Sequence, residues 1–327
     1  MQGSALDESA ADEMTQGSRG DTCAVIDITE WGPSYAGVLS ELVTASMPRE
    51  QVSPDEVMAC CWDDPGLVLG TPDGSAALSA VIRAGPEPGG SGLRGFVRLL
   101  AVHPGERRQG IGSALLALAE SWLREQGAAT VEMASSLPFY LWPGVDVHSM
   151  LAMQCLAESA GYRENGSVVM FSLPVTFRAP VPEGFDLRRT LGDADAARVG
   201  KLVSSEWPEV SGSVGRAIEQ GTCLAVFDEG ESGSRAVGVA CHSVNRGGWV
   251  EPICVVPSCR GGGVGSALLS QVCTDLMVAN YRDVQLPSVP SARFLARAGG
   301  AAGRVFGTSV KVLGSQQPER IRSRSAR

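Results

Sequence analysis

Two tandem α/β domains of the α+β kind, each a mixed and largely antiparallel sheet flanked by helices, are what the sequence predicts. Three observations carry this. The segment Val102 to Leu116 (Val-His-Pro-Gly-Glu-Arg-Arg-Gln-Gly-Ile-Gly-Ser-Ala-Leu-Leu) returns at Val255 to Leu269, with Pro, Arg, both terminal glycines and the Gly-Ser-Ala-Leu-Leu run in register. One order of strand and helix patterns, β-α-α-β-β-β-α-β-α-β, surrounds each copy. A chain of 327 residues is long enough for two domains that each bury a core.

In the first half, residues 1–22 are acidic and rich in small residues, and read as a disordered tail. The first domain is expected over 23–174. Cys23 to Thr29 alternates as a short strand, and Ser34 to Ser46 places Val and Leu at helical spacing. Ser53-Pro54-Asp55-Glu56 is a helix start, followed by a helix through Trp62. Pro65 to Leu69, Ala76 to Arg83 and Gly95 to His103 are three strands separated by glycine- and proline-rich loops, the pattern of an antiparallel meander. The helix after Gly112 carries an apolar stripe of Leu115, Leu116, Ala119, Trp122 and Leu123 that must lie on a sheet. Ala128 to Ala134 is the next strand. The aromatic loop Phe139 to Trp142 then leads to Asp146 as N-cap of a helix to Ala160, and a strand or hairpin spans Ser167 to Leu173.

Residues 175–184 are Pro-rich and read as a linker, after which 185–313 repeats the order. Strands are expected at Phe185 to Arg189, Leu224 to Asp228, Ala236 to Val244, Trp249 to Val256 and Asp283 to Leu286. Helices are expected at Asp193 to Ser204, Ser211 to Glu219, from the second glycine motif to Ala279, and at Ser291 to Ala298. Thr308 to Leu313 is the strand that should complete the second domain, and 314–327 is a second tail.

Each repeated segment reads as strand, tight glycine turn and helix, and its physics points to an anion. The first helical turn leaves backbone N–H groups unpaired, and the helix dipole adds roughly half a positive charge there. Gly110 and Gly112, like Gly263 and Gly265, admit a phosphate close to the backbone, with Arg107 or Arg260 at the rim. A pyrophosphate is the natural guest. A dinucleotide fingerprint would need Gly or Ala where Leu115 and Leu268 stand, and a P-loop would need a lysine that neither copy has.

Composition narrows the partners. A net charge of −9 argues against nucleic acid, and no apolar run reaches the length of a membrane span. The two lysines, Lys201 and Lys311, stand against an arginine-dominated basic set, the bias of a GC-rich coding sequence; Arg320, Arg322, Arg324 and Arg327 form a solvated cluster in the tail. Nine cysteines include no Cys-x-x-Cys pair, and His103, His148 and His242 do not join them at ligand spacing. No metal site is expected, and the cysteines read as reduced thiols of a cytoplasmic protein.

The element order, with Val-x-Pro-x-x-Arg-x-x-Gly-x-Gly ending the fourth strand, resembles the GCN5-related N-acetyltransferase (GNAT) superfamily, and the resemblance covers essentially the whole chain as two copies. It implies a site for acetyl-CoA or another acyl-CoA, with pantetheine lying along the fourth strand and the pyrophosphate on the glycine turn. By position this gives Leu100, Ala101 and Val102 for pantetheine, then Arg107, Arg108, Gln109, Gly110, Ile111, Gly112 and Ser113 for pyrophosphate. The second copy gives Ile253, Cys254 and Val255, then Arg260, Gly261, Gly262, Gly263, Val264, Gly265 and Ser266. It further implies direct transfer to an amine in a ternary complex, here a small-molecule acceptor, and tandem members of this length belong to actinomycete pathways.

N-acyl transfer needs a deprotonated amine, a polarised thioester carbonyl and a proton for the leaving thiolate. A fourth-strand carboxylate serves as base in many members of the family. Glu251 stands at that position in the second domain, where the alternative is a solvated strand-end carboxylate. The first domain has Arg98 there, which cannot be a base at neutral pH. The tyrosine that acts as acid in the family is replaced by Ala157 and Leu295. Glu132 and Ser135 read as exposed strand residues near the cleft, Cys254 and Cys259 as packing or rim residues, and the aromatic loop as core or acceptor-pocket lining. Two functional readings follow: transfer by the second domain through Glu251, or a first domain (or a whole protein) that binds acyl-CoA without transferring.

Overall fold

The structure, a computed structural model, describes residues 26–47, 49–84, 92–133, 138–230, 234–287 and 291–314. The expected tail at 1–22, residues 315–327 with their arginine cluster, Cys23 and Ser135 lie outside the described residues.

The first half runs β1 (Thr29–Glu30), α1 (Ala36–Ser46), α2 (Pro54–Cys61), β2 (Leu67–Gly70), β3 (Ala76–Ala84), β4 (Leu93–Val102), α3 (Ile111–Glu125), β5 (Ala128–Met133), β6 (Val145–Asp146), α4 (Leu151–Ser159) and β7 (Arg163–Pro174). The second runs β8 (Phe185–Arg189), α5 (Asp193–Glu206), α6 (Ser211–Glu219), β9 (Cys223–Asp228), β10 (Arg235–His242), β11 (Val250–Val255), α7 (Val264–Val278), β12 (Asp283–Leu286), α8 (Ala292–Arg297) and β13 (Ala301–Val312).

Local chemistry explains most boundaries. Helix α2 starts where expected because Ser53 Oγ accepts from Glu56 N–H at 3.2 Å and Glu56 Oε2 accepts from Ser53 N–H at 2.9 Å, a reciprocal cap with Pro54 at the first helical position. Helix α3 buries Ile111, Leu115, Leu116, Ala119 and Leu123, one stripe at helical spacing. Asp146 is not the N-cap of α4. Its Oδ1 accepts from His148 and Ser149 N–H in a local turn, its Oδ2 accepts from Arg304, and Met150 occupies the cap position.

The sheets depart from a simple tandem. The first sheet has nine strands, ordered β1-β2-β3-β4-β5-β13-β7-β12 with β6 off β13, and the second has four, β11-β10-β9-β8. The pairs are antiparallel except β4 with β5. The last strand, expected to complete the second domain, instead lies between β5 and β7 of the first half, with Lys311 opposite Val131 and Phe306 opposite Val168. The reason is a vacancy in pairing. A single strand, not a hairpin, lies between α4 and the linker, so β5 and β7 each present an unpaired edge that β13 covers. Strand β7 in turn extends its end to β12, with Leu173 opposite Val284.

The cores follow this exchange. Phe306 and Trp249, both from the second half of the sequence, are buried in the first core with Leu78, Leu115 and Trp142. The second sheet packs α7 on one face, around Val237, Leu268 and Leu276, and α5 with α6 on the other, around Val203, Val214 and Phe227. Among the described residues no helix is long and apolar enough to cross a membrane.

Candidate active site

The two glycine turns are built alike. Gly110 caps α3 with φ 85° and Gly263 caps α7 with φ 92°, both left-handed and both without a capping side chain. A second left-handed residue precedes each, Arg108 at φ 68° and Gly261 at φ 82°. Two left-handed residues fold the chain sharply enough to aim the uncapped N–H groups of the first helical turn at one point. Both motif arginines are exposed and lean back on the chain through part of the guanidinium. Arg107 Nε donates to Val102 O at 3.1 Å and its Nη2 to Ser46 O at 2.8 Å, while Arg260 Nε donates to Val255 O at 3.0 Å. Each Nε therefore ties its turn to the end of its own strand, with the Nη atoms of Arg260 at the rim beside the backbone N–H groups.

The strands leading into the turns have one edge open. Strand β4 pairs with β5 from Leu93 to Val97, opposite Met133, whereas Leu99 to Val102 pair only with β3 on the other side. In the second half, the contact of β11 with β12 reduces to one parallel bridge, Trp249 with Gln285, so Val250 to Val255 run as a sheet edge. An extended chain can add to either edge as a further strand. Leu100 to Val102 and Ile253 to Val255 lie on these stretches, next to the turns.

A bulge sits at the same place in both copies. Opposite Ser79–Ala80 the partner residues step from Leu99 to Val97, which leaves Arg98 as the extra residue; opposite Ala240–His242 they step from Ile253 to Val250, which leaves Glu251 and Pro252. A bulge bends the strand and re-aims the side chain it carries, and the two copies use it differently.

Arg98 is fully buried and held by Asp64 Oδ2 at 2.8 Å and Ser79 Oγ at 3.4 Å. Glu251 has no such partner. It is half-buried, its Oε2 is shielded from solvent without a hydrogen bond, and desolvation pushes its pKa up to about 8. An unpaired carboxylate beside an open strand edge, half ionised near pH 8, can accept a proton from an ammonium ion. It is not the solvated strand-end group of the alternative reading.

The other sequence candidates fare differently. Glu132, read as exposed, is buried and ion-paired with Arg94. Burial first, then Glu209, pushes the Cys254 thiol up to about 11 despite Arg260, which makes it a poor nucleophile. Ala157 and Leu295, at the family's tyrosine position, are buried core residues. Of the aromatic loop, Tyr140 and Trp142 are core while Phe139 lies under the Arg216 guanidinium of α6; Trp142 also lines a cleft beside Val97 to Leu100. Among the described residues no His, Cys, Asp and Glu cluster suits a metal.

Sequence reasoning missed the charges that join the halves. Glu50, 1% exposed, accepts from Arg246 at 2.5 Å and from Arg304, which also meets Asp146. Burial would raise the Glu50 pKa, but Trp142, Arg246 and Arg304 together hold it below the usual carboxylate value. The four charged groups, Glu50, Asp146, Arg246 and Arg304, lie far apart in sequence, so no spacing signal connects them.

A mixed sheet whose fourth strand parts from the fifth, bulges and ends in an uncapped glycine turn is the arrangement that the sequence resemblance implies. The model of the acetyltransferase (GNAT) family matches residues 37–140 and again 197–299, so the chain belongs to that family, as a tandem member. No curated protein matches it. Among solved structures it resembles the glucosamine N-acetyltransferase region of a fungal multi-domain GH3 β-N-acetylglucosaminidase (14% identity, TM-score 0.71), over 87% of this chain and 38% of that one. It thus spans well under half of the fungal protein. It also resembles a tandem GNAT protein from the clavulanic acid biosynthesis pathway (18% identity, TM-score 0.64, 88% and 98% covered) and a GCN5-related N-acetyltransferase from Sphaerobacter thermophilus (21%, 0.59, 88% and 95%). At these identities the likenesses establish the fold.

Proposed function

We propose that this acetyltransferase moves an acyl group from acetyl-CoA, or another acyl-CoA, to the amine of a small molecule, with direct transfer in a ternary complex and the second half as the transferring unit. The observation that carries the reading is Glu251, an unpaired carboxylate at the bulge of β11 beside an open strand edge. The cofactor fits both halves: uncapped N–H groups suit a pyrophosphate, and the unpaired edges of β4 and β11 suit the amides of pantetheine. When bound, it supplies an acyl group activated as a thioester. The residues expected to hold it are Leu100 to Val102 with Arg107 to Ser113, and Ile253 to Val255 with Arg260 to Ser266. Glu251 takes the ammonium proton of the acceptor, and N–H groups on the β11 edge orient and polarise the carbonyl. No side chain at the family's tyrosine position can protonate the departing sulfur, which leaves that proton to solvent.

A second reading, that the first half binds without transferring, is favoured by the Arg98–Asp64 pair, since Arg98 occupies the position of Glu251 and is neutralised there. A cytoplasmic setting fits the eight described cysteines, all unpaired thiols, and a role in actinomycete secondary metabolism fits the likeness to the clavulanic-pathway protein. The test is release of free CoA with a panel of amines that includes amino sugars and amino acids. Transfer that falls in Glu251→Gln while acetyl-CoA binding persists supports the reading. Binding without transfer to any amine makes the protein a CoA sensor, and unchanged transfer in Glu251→Gln removes Glu251 from the mechanism.

A further inference from the structure

Cys223 on β9 and Cys241 on β10 stand directly opposite each other, and Cys254 on β11 lies one diagonal step beyond Cys241 on the same face, under α5 and α6. The backbone shows what kind of pair the first two form. His242 N–H donates to Thr222 O at 3.2 Å, while Cys223 O turns the other way and accepts from Thr190 N–H at 3.0 Å. The bonds joining β9 to β10 therefore flank the two cysteines, which face each other as a non-hydrogen-bonded pair. In such a pair the Cα atoms are about 4.5 Å apart, and the Cβ atoms sit at the near end of about 4.5–5.5 Å. A disulfide takes Cα atoms about 4.4–6.8 Å apart and Cβ atoms about 3.5–4.5 Å apart, so a movement of about 1 Å or less joins this pair. Cys254, at a diagonal distance of about 7–8 Å, is out of that reach. Both facing thiols are buried. The Cys241 thiol, helped by Thr190 and Arg189, holds Cys223 below the usual thiol value although burial works against it, so Cys223 is the sulfur that ionises first.

Cys241 also faces the bulge of β11. Where the register steps from Ala240 opposite Ile253 to His242 opposite Val250, the residues left against Cys241 are Glu251 and Pro252. We propose that Cys223 and Cys241 form an oxidisable dithiol site, closed to a disulfide by a hydroperoxide, and that closure displaces the bulge that aims Glu251. The second part rests on the reading of Glu251 as the base. A small uncharged oxidant suits a pair that no bulky disulfide can reach. The Cys223 thiolate attacks one peroxide oxygen, the O–O bond breaks, and the departing hydroxide takes up the thiol proton as water. The sulfenic acid so formed condenses with the Cys241 thiol, an S–S bond replaces the S–O bond, and a second water leaves. Closure draws Cys241 toward β9 by up to about 1 Å, and a misplacement of that size at a reacting group slows transfer on the order of 10²-fold.

The experiment treats the reduced full chain with hydrogen peroxide, alkylates the remaining thiols in denaturant and digests with trypsin. Cleavage after Arg216, Arg235 and Arg246 leaves Cys223 alone in the peptide 217–235 and Cys241 alone in 236–246. From the folded protein most of both peptides should be recovered as one linked species, lighter than their sum by two hydrogens and parted by dithiothreitol. Protein oxidised in denaturant should give this pairing in only about one part in eight, because each of the nine cysteines then has eight partners. Transfer should fall on the order of 10²-fold as the link forms and return with dithiothreitol, whereas Cys223→Ala should keep its own rate under the same treatment. Separate alkylated peptides, sulfonic acid at either cysteine, or a link from Cys241 to Cys254 overturns the site. A complete link with transfer unchanged overturns the displacement of Glu251. Failure of the reading beneath it shows instead as unchanged transfer in Glu251→Gln, which leaves the linked peptide untouched, so the failures are distinguishable.

Discussion

Glu251 should make the protein lose stability as pH rises, and Glu251→Gln should remove that loss. The carboxyl has a pKa near 4.5 when exposed and about 8 in the fold, because burial without a partner disfavours its charge. Between those values the unfolded chain has released the proton and the native protein still holds it. The native state then binds more protons, and stability falls with rising pH by about 1.4 kcal/mol per unit. Below pH 4.5 both states are protonated and the effect vanishes; above pH 8 it is complete, at roughly 5 kcal/mol as an upper bound. Glutamine carries no charge at any pH, so whatever Glu251→Gln costs in packing is constant across the range. Calorimetric melting of both proteins from pH 5 to pH 9 should show the variant gaining on the wild type as pH rises, by on the order of 10 °C over the range. Parallel curves for the two proteins would refute the claim that the half-buried Glu251 carboxyl is desolvated and unpaired.

Other predictions concern the joining of the halves. Ending the chain at residue 300 removes β13 and exposes the edges of β5 and β7; loss of cooperative melting and of dispersed amide signals in the first half is expected, and a native-like first half would contradict the strand exchange. Glu50→Ala leaves Arg246 and Arg304 without their shared carboxylate in a buried setting, for which a loss of about 3–5 kcal/mol is expected in urea unfolding. A loss below about 1 kcal/mol would show the cluster to be a solvated one.

Local chemistry was the legible part of the fold. Phe185–Arg189, Ser211–Glu219 and Asp283–Leu286 have the bounds their patterns predict, since each is an alternating or helical run closed by Gly, Pro or a polar residue. The glycine turns were legible because left-handed backbone at positions 110 and 263 calls for glycine. Partnership was not legible. Residues 301–312 read as a strand at their end, but nothing local says that their neighbours are β5 and β7, because strand pairing depends on which edges the rest of the chain leaves open. Exposure at single positions was unreliable for the same reason. Glu132 looks like a solvent-facing strand residue until Arg94 is set against it, and Asp146 looks like a helix cap until Arg304 arrives from the far end of the chain. At the candidate site, the offset between the two motif copies placed Arg98 and Glu251 at equivalent positions, and the bulges give that equivalence a physical basis. The contrast between a carboxylate left alone and a guanidinium locked to Asp64 required coordinates.

The pH dependence of acyl transfer, measured in wild type and Glu251→Gln with one accepted amine at saturating acyl-CoA, bears most directly on the assignment of catalysis to the second half. With Glu251 as base, the wild-type rate should rise about tenfold per pH unit and level off near pH 8. The variant should be slower by on the order of 10²- to 10⁴-fold without that inflection. A variant that keeps both the rate and the inflection near pH 8 would contradict the account and place the proton transfer elsewhere.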